Sequence, residues 1–396
     1  DGAATIHSSD AVEDRVMKRI LVLGAGKIGR MIARFLVDAG DYAVCVADVD
    51  ATCLDRLRQQ VPALETQPID AGSREALVAA MTGREAVISA LSFHFNPLVA
   101  EAALAAGVSY FDLTEDIATT RAVRQVARDA REGQIFMPQC GLAPGFVSIA
   151  AAHLATWFDE LHSVRMRVGA LPLYPSNALK YNLTWSTDGL INEYCNPCEA
   201  IHEGRRVERL PLEGVEEFSL DGVRYEAFNT SGGLGTLCET LEGRVQTLDY
   251  KTIRYVGHRD LVDFLLNDLR LRERRPLLKQ VFETAIPITY QDVVVIFCTV
   301  TGLRRGRFVQ HSDARKIYHQ MIGGEVWSAI QITTAAGICA MVDLHRTGRL
   351  PSRGLVRQEQ IALPEFLENR FGRHYLPAAN GVVPVDVSQT GDEEPK

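Results

Sequence analysis

Apolar residues from position 18 to about 140 fall into short unbroken runs separated by helical stripes. RILVLGAG is a run that ends in glycines, and KIGRMIARFLVDAG repeats apolar residues at helical spacing until Gly40 closes it. YAVCVADVD follows as a second buried strand. LETQPID ends a third strand at Asp70, SREALVAAM is helical, and EAVISAL is a fourth strand. FHFNPLVAEAALAAG then starts a loop and helix, VSYFDLTED is a fifth strand, and RAVRQVARDAREG is a helix that leads to QIFMPQCG. This alternation predicts an α/β chain built on a doubly wound parallel Rossmann sheet.

After CGLAPGF (Cys140 to Phe146) the pattern changes. SVRMRVGAL, RRVERLP, VRYEAFNT, VQTLDYKTIRYVG and DVVVIFCTVTG read as strands, the last turning at GLRRG into RFVQHSD, with helices at RDLVDFLLNDL and PLLKQVFETA. The expected organisation is a dinucleotide-binding domain over residues 17–141 and an inserted α+β substrate and dimerisation domain over 142–326. Over 327–380, WSAIQITTAAGICAMVDL and LPEFLENRF are expected as helices returning to the first domain. Residues 1–16 are expected as a flexible extension ahead of Met17, which can serve as a start, and 381–396 as a disordered tail.

Charge narrows the partners. With 42 Lys+Arg against 50 Asp+Glu the formal net charge is -8, which argues against a nucleic-acid groove or an anionic membrane. No run approaches the ~18 apolar residues that cross a bilayer. Residues 1–16 carry acidic groups and no apolar core of a secretory signal. Eight scattered cysteines fit reduced thiols and a cytoplasmic location. The Cys195 and Cys198 pair in CNPC has no second pair at zinc-site spacing, so no metal is expected.

Within the first strand-turn-helix-strand unit, Gly24, Gly26 and Gly29 form G-x-G-x-x-G. Such glycines permit a tight turn, close approach of amides to a pyrophosphate and tight helix packing, while the helix start offers partial positive charge. Asp48 ends the second strand, where a carboxylate bonds both ribose hydroxyls of NAD and repels a 2'-phosphate; no Arg or Lys follows until Arg56. The expected cofactor is therefore NAD. Its expected contacts are Gly24, Gly26, Lys27, Ile28, Gly29, Asp48, Asp70, Ser89, Ala90 and Leu91, the last three overhanging the nicotinamide at the carboxyl end of the fourth strand.

Several stretches together resemble the saccharopine dehydrogenase (reductase) family, and within it the bacterial L-lysine 6-dehydrogenase branch: LVLGAGKIG, YFDLTED, CGLAPGF, VGALP, YNLTWSTDGLINEYCNPCEAIHEG, YEAFNTSGGLGTL, KTIRYVGH and WSAIQITTAAG. The likeness runs from about residue 18 to 376. It implies an NAD(P) domain, a substrate domain with an open sheet, commonly a homodimer through that sheet, and hydride transfer from a carbon bearing nitrogen in an amino acid. Saccharopine reductases tend to carry a basic residue shortly after the W-S pair, where this chain has Asp188. An acid there suits an ammonium better than a glutamyl carboxylate, which favours L-lysine as substrate over saccharopine or a carboxylated polyamine. A chain that binds nucleotide without turnover is the remote alternative.

Oxidising a primary amine requires a neutral amine and a base near it, since the free lysine ammonium has a pKa of ~10.4. Asp112 or Glu115, with Asp116 beside them, is the expected base, because neighbouring carboxylates raise one another's pKa; the alternative is that Asp112 bonds backbone amides and Glu115 or Asp116 caps the next helix. His94, in the loop after the fourth strand, is a second candidate. For the substrate, Arg254 is expected to fork onto the α-carboxylate, with Thr230 and Ser231 as hydroxyl donors. Trp185 would form an apolar wall, Asp188 would meet an ammonium, and Asn182 and Tyr181 would add hydrogen bonds. Cys140, with no cation beside it in the sequence, is expected as a small wall residue.

Overall fold

The computed structural model describes residues 17–376, so the expected extension over 1–16 and tail over 381–396 lie outside the described residues. Six strands in the first part of the chain, β1 (Lys18–Leu23), β2 (Tyr42–Asp48), β3 (Glu65–Pro68), β4 (Ala86–Ser89), β5 (Ser109–Asp112) and β6 (Ile135–Met137), are joined by the short strand Gly354–Leu355. All pair in parallel, in the order 354–355, β6, β5, β4, β1, β2, β3. The direction of winding reverses between β1 and β4, which opens a crevice at their carboxyl ends, where ligands of such sheets bind.

Among the helices the sequence pattern missed, which include Phe146–Ala155, two have a plain physical reason. Ala51–Gln60 buries only Leu54 and Leu57, too thin a stripe to show, and forms because Asp50 accepts from Thr52 N–H and Cys53 N–H at its start. Thr187–Cys195 has the opposite property: every residue but Asp188 is buried, so no polar face marks it. The third strand stops at Pro68 rather than at Asp70, whose carboxylate accepts from Gly72 N–H and closes a turn.

A second sheet holds β7 (Glu160–Pro172), β8 (Cys198–His202), β9 (Arg205–Arg209), β10 (Glu216–Leu220), β11 (Val223–Asn229), β12 (Val245–Tyr255), β13 (Asp292–Arg304) and β14 (Arg307–Tyr318). Its main path runs β10, β11, β12, β7, β13, β14, with β8 and β9 attached to β12. Only β12 and β7 pair in parallel, which leaves Thr252 and Arg254 of β12 beside Val168 of β7 on the face turned toward the first sheet. The same face of β7 and β13 buries Val164, Met166, Val294, Ile296 and Val300 against helices Phe146–Ala155 and Ala329–Arg346. Each such side chain contributes about 1.5–3 kcal/mol.

The helix Ala329–Arg346 ties the two sheets together. Ser328 and Gln331 form a capping box at its start, Gln331 also donates to the Lys27 carbonyl, and Cys339 reaches the Ile32 carbonyl, both in the helix Lys27–Asp38. Asp292, the first residue of β13 and fully buried, accepts from the Ala329 and Ile330 amides. Burial pushes its acid up to about 7 against the pull of those amides. Asp292→Ala strands both amides, and urea unfolding should show a loss of about 2 kcal/mol. An unchanged midpoint would contradict this account of the tie.

Candidate active site

The glycine loop has the shape a dinucleotide requires. Gly24 stands at φ +102°, and a Cβ on Gly29 would lie 1.9 Å from the Gly24 carbonyl oxygen, so neither position admits a side chain. At Gly26, the N-cap of the first helix, an added Cβ meets nothing within 4 Å, which leaves the amide side open for a pyrophosphate. Asp48 accepts from Ala25 N–H at 2.6 Å and from Asp50 N–H at 2.9 Å, so its carboxylate braces the loop from the end of β2. Lys27 begins the helix, and Ile28 lines the cleft beyond it. Ala90 and Leu91 also line the cleft, whereas Ser89 is buried and donates its hydroxyl to Asn96.

A cleft with about 1110 Å³ of empty space, its mouth included, runs between the sheets. The first sheet contributes Ile28, Ala90 to Phe93 and Leu113 to Glu115; the turn Gly141 to Pro144 forms one wall; Val168, Tyr250, Thr252 and Arg254 come from the second sheet. The helix Thr187–Cys195, capped by Ser186 on Gly189 N–H, brings in Asp188 and Glu193. Gly189 seats that helix on Trp185, since a Cβ there would stand 2.3 Å from the indole. Ile330 and Thr334 close the floor.

Three ionisable groups define the chemistry. Glu115, half-buried at the end of the β5 loop, has its acid pushed up to about 7 by burial, with Asp116 and Asp112 adding to the rise and an Asn192 side-chain bond opposing it. Glu193 is 7% exposed, and burial pushes it up to about 8 despite the opposing charge of Arg254. Arg254, 2% exposed, donates Nε–H to the Tyr194 hydroxyl at 2.9 Å and Nη1–H to its neighbour's carbonyl at Ile253. Its nearest carboxylate oxygen, on Glu193, is 4.0 Å away. Burial works against its charge, yet Tyr194, Tyr181 and Glu193 outweigh that and raise its pKa.

Several sequence expectations are corrected here. Asp112 is not available as a base: fully buried, it accepts from the Tyr110 hydroxyl at 2.6 Å and from the Thr114 and Gln139 amides, each at 2.9 Å. Asp116 caps the next helix on Thr119 N–H. His94 is exposed, lies tilted against the Phe93 ring at 4.0 Å and is not part of the cleft wall, because the loop turns Phe93 inward instead. Asp188 reaches the mouth, but its ammonium partner is Lys279 at 2.7 Å, so it holds no open place for a substrate amine. Thr230 bonds Thr252 behind the wall, Asn182 is buried outside the lining, and the Tyr181 ring lies under the Arg254 guanidinium at 4.9 Å. Asp70 is exposed in its own turn, away from the cleft. Cys140 is buried and accepts from the Gln358 amide, and burial pushes its thiol well above the ordinary range.

Sequence reading missed Glu193, Tyr194, Tyr250, Thr252 and His258. The available signal was a charged residue inside INEYC, a stretch otherwise apolar or uncharged, since a buried carboxylate is rare without a partner. Cys195 and Cys198 are buried free thiols, and among the described residues no three His, Cys, Asp or Glu side chains could hold a metal.

Known proteins match this arrangement along most of its length. Mitochondrial alpha-aminoadipic semialdehyde synthase of Rattus norvegicus is 21% identical over 385 residues, covering 91% of this chain, and that of Mus musculus is 22% identical over 387. The chain spans 37% of the length of these relatives. The solved apo saccharopine dehydrogenase (L-Glu forming) of Saccharomyces cerevisiae superimposes with a TM-score of 0.71 at 16% identity, over 90% of this chain and 96% of that one, which establishes a shared fold. Residues 20–137 match the saccharopine dehydrogenase NADP binding domain and residues 141–373 the saccharopine dehydrogenase C-terminal domain. With both domains present in order around one cleft, the chain belongs to the saccharopine dehydrogenase family.

Proposed function

We propose that this chain oxidises the ε-amine of L-lysine with NAD, releasing ammonia and an aldehyde that cyclises on the α-amine. The observation that carries this reading is the charge balance of the cleft. Among the described lining residues Arg254 is the sole cation, against Glu115, Glu193 and Asp188. One buried guanidinium matches one α-carboxylate. A saccharopine-like secondary amine brings a glutamyl arm with further carboxylates, and the nearby Lys279 is already paired with Asp188. The aldehyde left when the ε-amine of lysine becomes a carbonyl is α-aminoadipic semialdehyde, the compound in the name of the two relatives. NAD rather than NADP is supported by Asp48, whose carboxylate at the end of β2 would repel a 2'-phosphate.

Residue roles follow from position. Arg254 holds the α-carboxylate, and Glu193, 4.0 Å from it, receives the α-ammonium. Trp185, Leu142, Pro144 and Ile330 surround the methylenes with apolar surface. That wall points the ε-amine toward Glu115, on the nucleotide side. A bound nicotinamide dinucleotide supplies the hydride acceptor. Glu115 takes one proton from the ε-ammonium as the C–H electron pair leaves and releases it to solvent. Ionised again, it takes a proton from the water that attacks the iminium carbon and returns it to the nitrogen, so that the C–N bond breaks as the hydroxyl loses its proton to solvent and becomes the carbonyl. Water supplies the aldehyde oxygen, and the nitrogen departs as ammonia. Moving a proton from an ammonium of pKa ~10.4 to an acid near 7 costs roughly 4–5 kcal/mol. Desolvation by the apolar wall lowers the amine's pKa and reduces that cost.

Two measurements check the reading. Absorbance of NADH should rise when the protein meets NAD and L-lysine, and stay near baseline with saccharopine or with NADP; preferred turnover of saccharopine would overturn the substrate assignment. Because Glu115 must be ionised to accept a proton and its acid lies at about 7, kcat/KM should fall as pH drops below that value. Glu115→Gln should lower kcat by about 10²–10⁴ and abolish that limb. A Gln variant within tenfold of the parent would remove Glu115 from the proton path.

A further inference from the structure

Arg254 does not hold its orientation alone. Behind it runs a buried chain of hydrogen bonds that the chemistry above leaves unused. The Arg254 Nε–H donates to the Tyr194 oxygen at 2.9 Å, and the Tyr194 hydroxyl stands 3.0 Å from His258 Nε2. His258 Nδ1 lies 2.8 Å from the Leu179 carbonyl oxygen, which can only accept. That contact places the His258 proton on Nδ1, so Nε2 accepts from Tyr194, and the Tyr194 oxygen is left as an acceptor for the guanidinium. Every link has one direction. Tyr194 and His258 are each 1% exposed, and the neutral state of the ring is kept by burial and by the charge of Arg254, which together lower its pKa to about 3.

Geometry across the elements supports the same conclusion. Arg254 projects from β12, Tyr194 from the helix Thr187–Cys195 and His258 from the start of the helix His258–Asp263, so three separate elements meet at one guanidinium. The guanidinium also lies over the Tyr181 and Tyr194 rings at 4.9 and 5.7 Å, which confines it from the side. With Nε and Nη1 occupied, rotation of the fork is restricted. A long side chain held in this way binds a planar carboxylate with little further loss of rotamer freedom.

We infer that Tyr194 and His258 are positioning residues that fix the Arg254 fork for a substrate α-carboxylate, and so set the preference for an α-amino acid over the same amine lacking its carboxylate. This rests on the lysine reading and deepens it. Neither residue lines the cleft, so the effect passes through Arg254.

The test compares L-lysine with 1,5-diaminopentane, which is lysine without the carboxylate, on the parent and three variants. Tyr194→Phe keeps the ring and removes the hydroxyl; KM for lysine should rise about 10-fold or more, kcat should change little, and the KM or inhibition constant of the diamine should stay put. His258→Leu should behave as Tyr194→Phe, while His258→Gln, whose amide oxygen can accept in place of Nε2, should recover most of the lysine KM. A purely structural role would shift both compounds together, or only the melting temperature, and would overturn the proposal, as would a lysine KM unmoved by Tyr194→Phe. If the parent binds no amino acid at all, the lysine reading itself fails and takes this role with it, whereas an active parent with indifferent variants sinks the positioning role alone.

Discussion

Arg254 is 2% exposed and stands 4.0 Å from its nearest carboxylate oxygen, on Glu193, an acid whose own burial keeps it largely protonated near neutrality. A guanidinium withdrawn from water without a full counter-charge is costly, and it persists only where surrounding bonds are good or a ligand completes it. Here Tyr194 and the Ile253 carbonyl satisfy part of the fork, and on the proposed reading the remainder meets a substrate carboxylate. The two raised acids are the complement of the same arrangement. Burial raises both Glu115 and Glu193 in the free protein, and on the proposed reading a substrate with two ammonium groups would draw both toward the ionised form.

That balance needs two sheets facing each other at a set distance. Glu115 comes from the end of β5 and Arg254 from β12, and no local sequence relation joins them. The spacing is held by the turn Gly141 to Pro144 on one side and by the helix Ala329–Arg346 on the other. Gly337 lets that helix seat on the turn, since a Cβ there would come within 2.7 Å of the Cys140 carbonyl oxygen. Asp292 fixes the start of the same helix to the edge of β13. Stability and chemistry are thus joined in one helix: its floor residues Ile330 and Thr334 sit within two turns of the amides that Asp292 holds.

The legible part of the site was the part that is local in the chain. Gly24, Gly26, Gly29 and Asp48 lie within one strand-turn-helix-strand unit, and their spacing alone states the geometry. Arg254 was also readable, as a planar fork in KTIRYVGH suited to a carboxylate. Asp112 was misread because YFDLTED presents three acids together, and the sequence does not reveal that the strand ends at Asp112, turning its carboxylate back onto the Thr114 and Gln139 amides. Asp188 was assigned an open charge because its partner Lys279 lies 91 positions away. Glu193 and Tyr194 escaped notice since their helix is buried on nearly every side, and their meeting with Arg254 spans about 60 residues of chain. Pairings of this length are decided by sheet topology, which periodicity does not report.

The proposed substrate orientation sets the α-carbon at Arg254 and Glu193 and the ε-carbon at Glu115 and the nicotinamide. Two isotopically labelled lysines read it directly, one carrying deuterium at C6 and the other at C2, each turned over with NAD and the NADH then examined by mass spectrometry. Deuterium appearing in NADH from the C6-labelled substrate alone is the predicted result. Transfer from C2 would place the α-carbon at the nicotinamide and contradict the account.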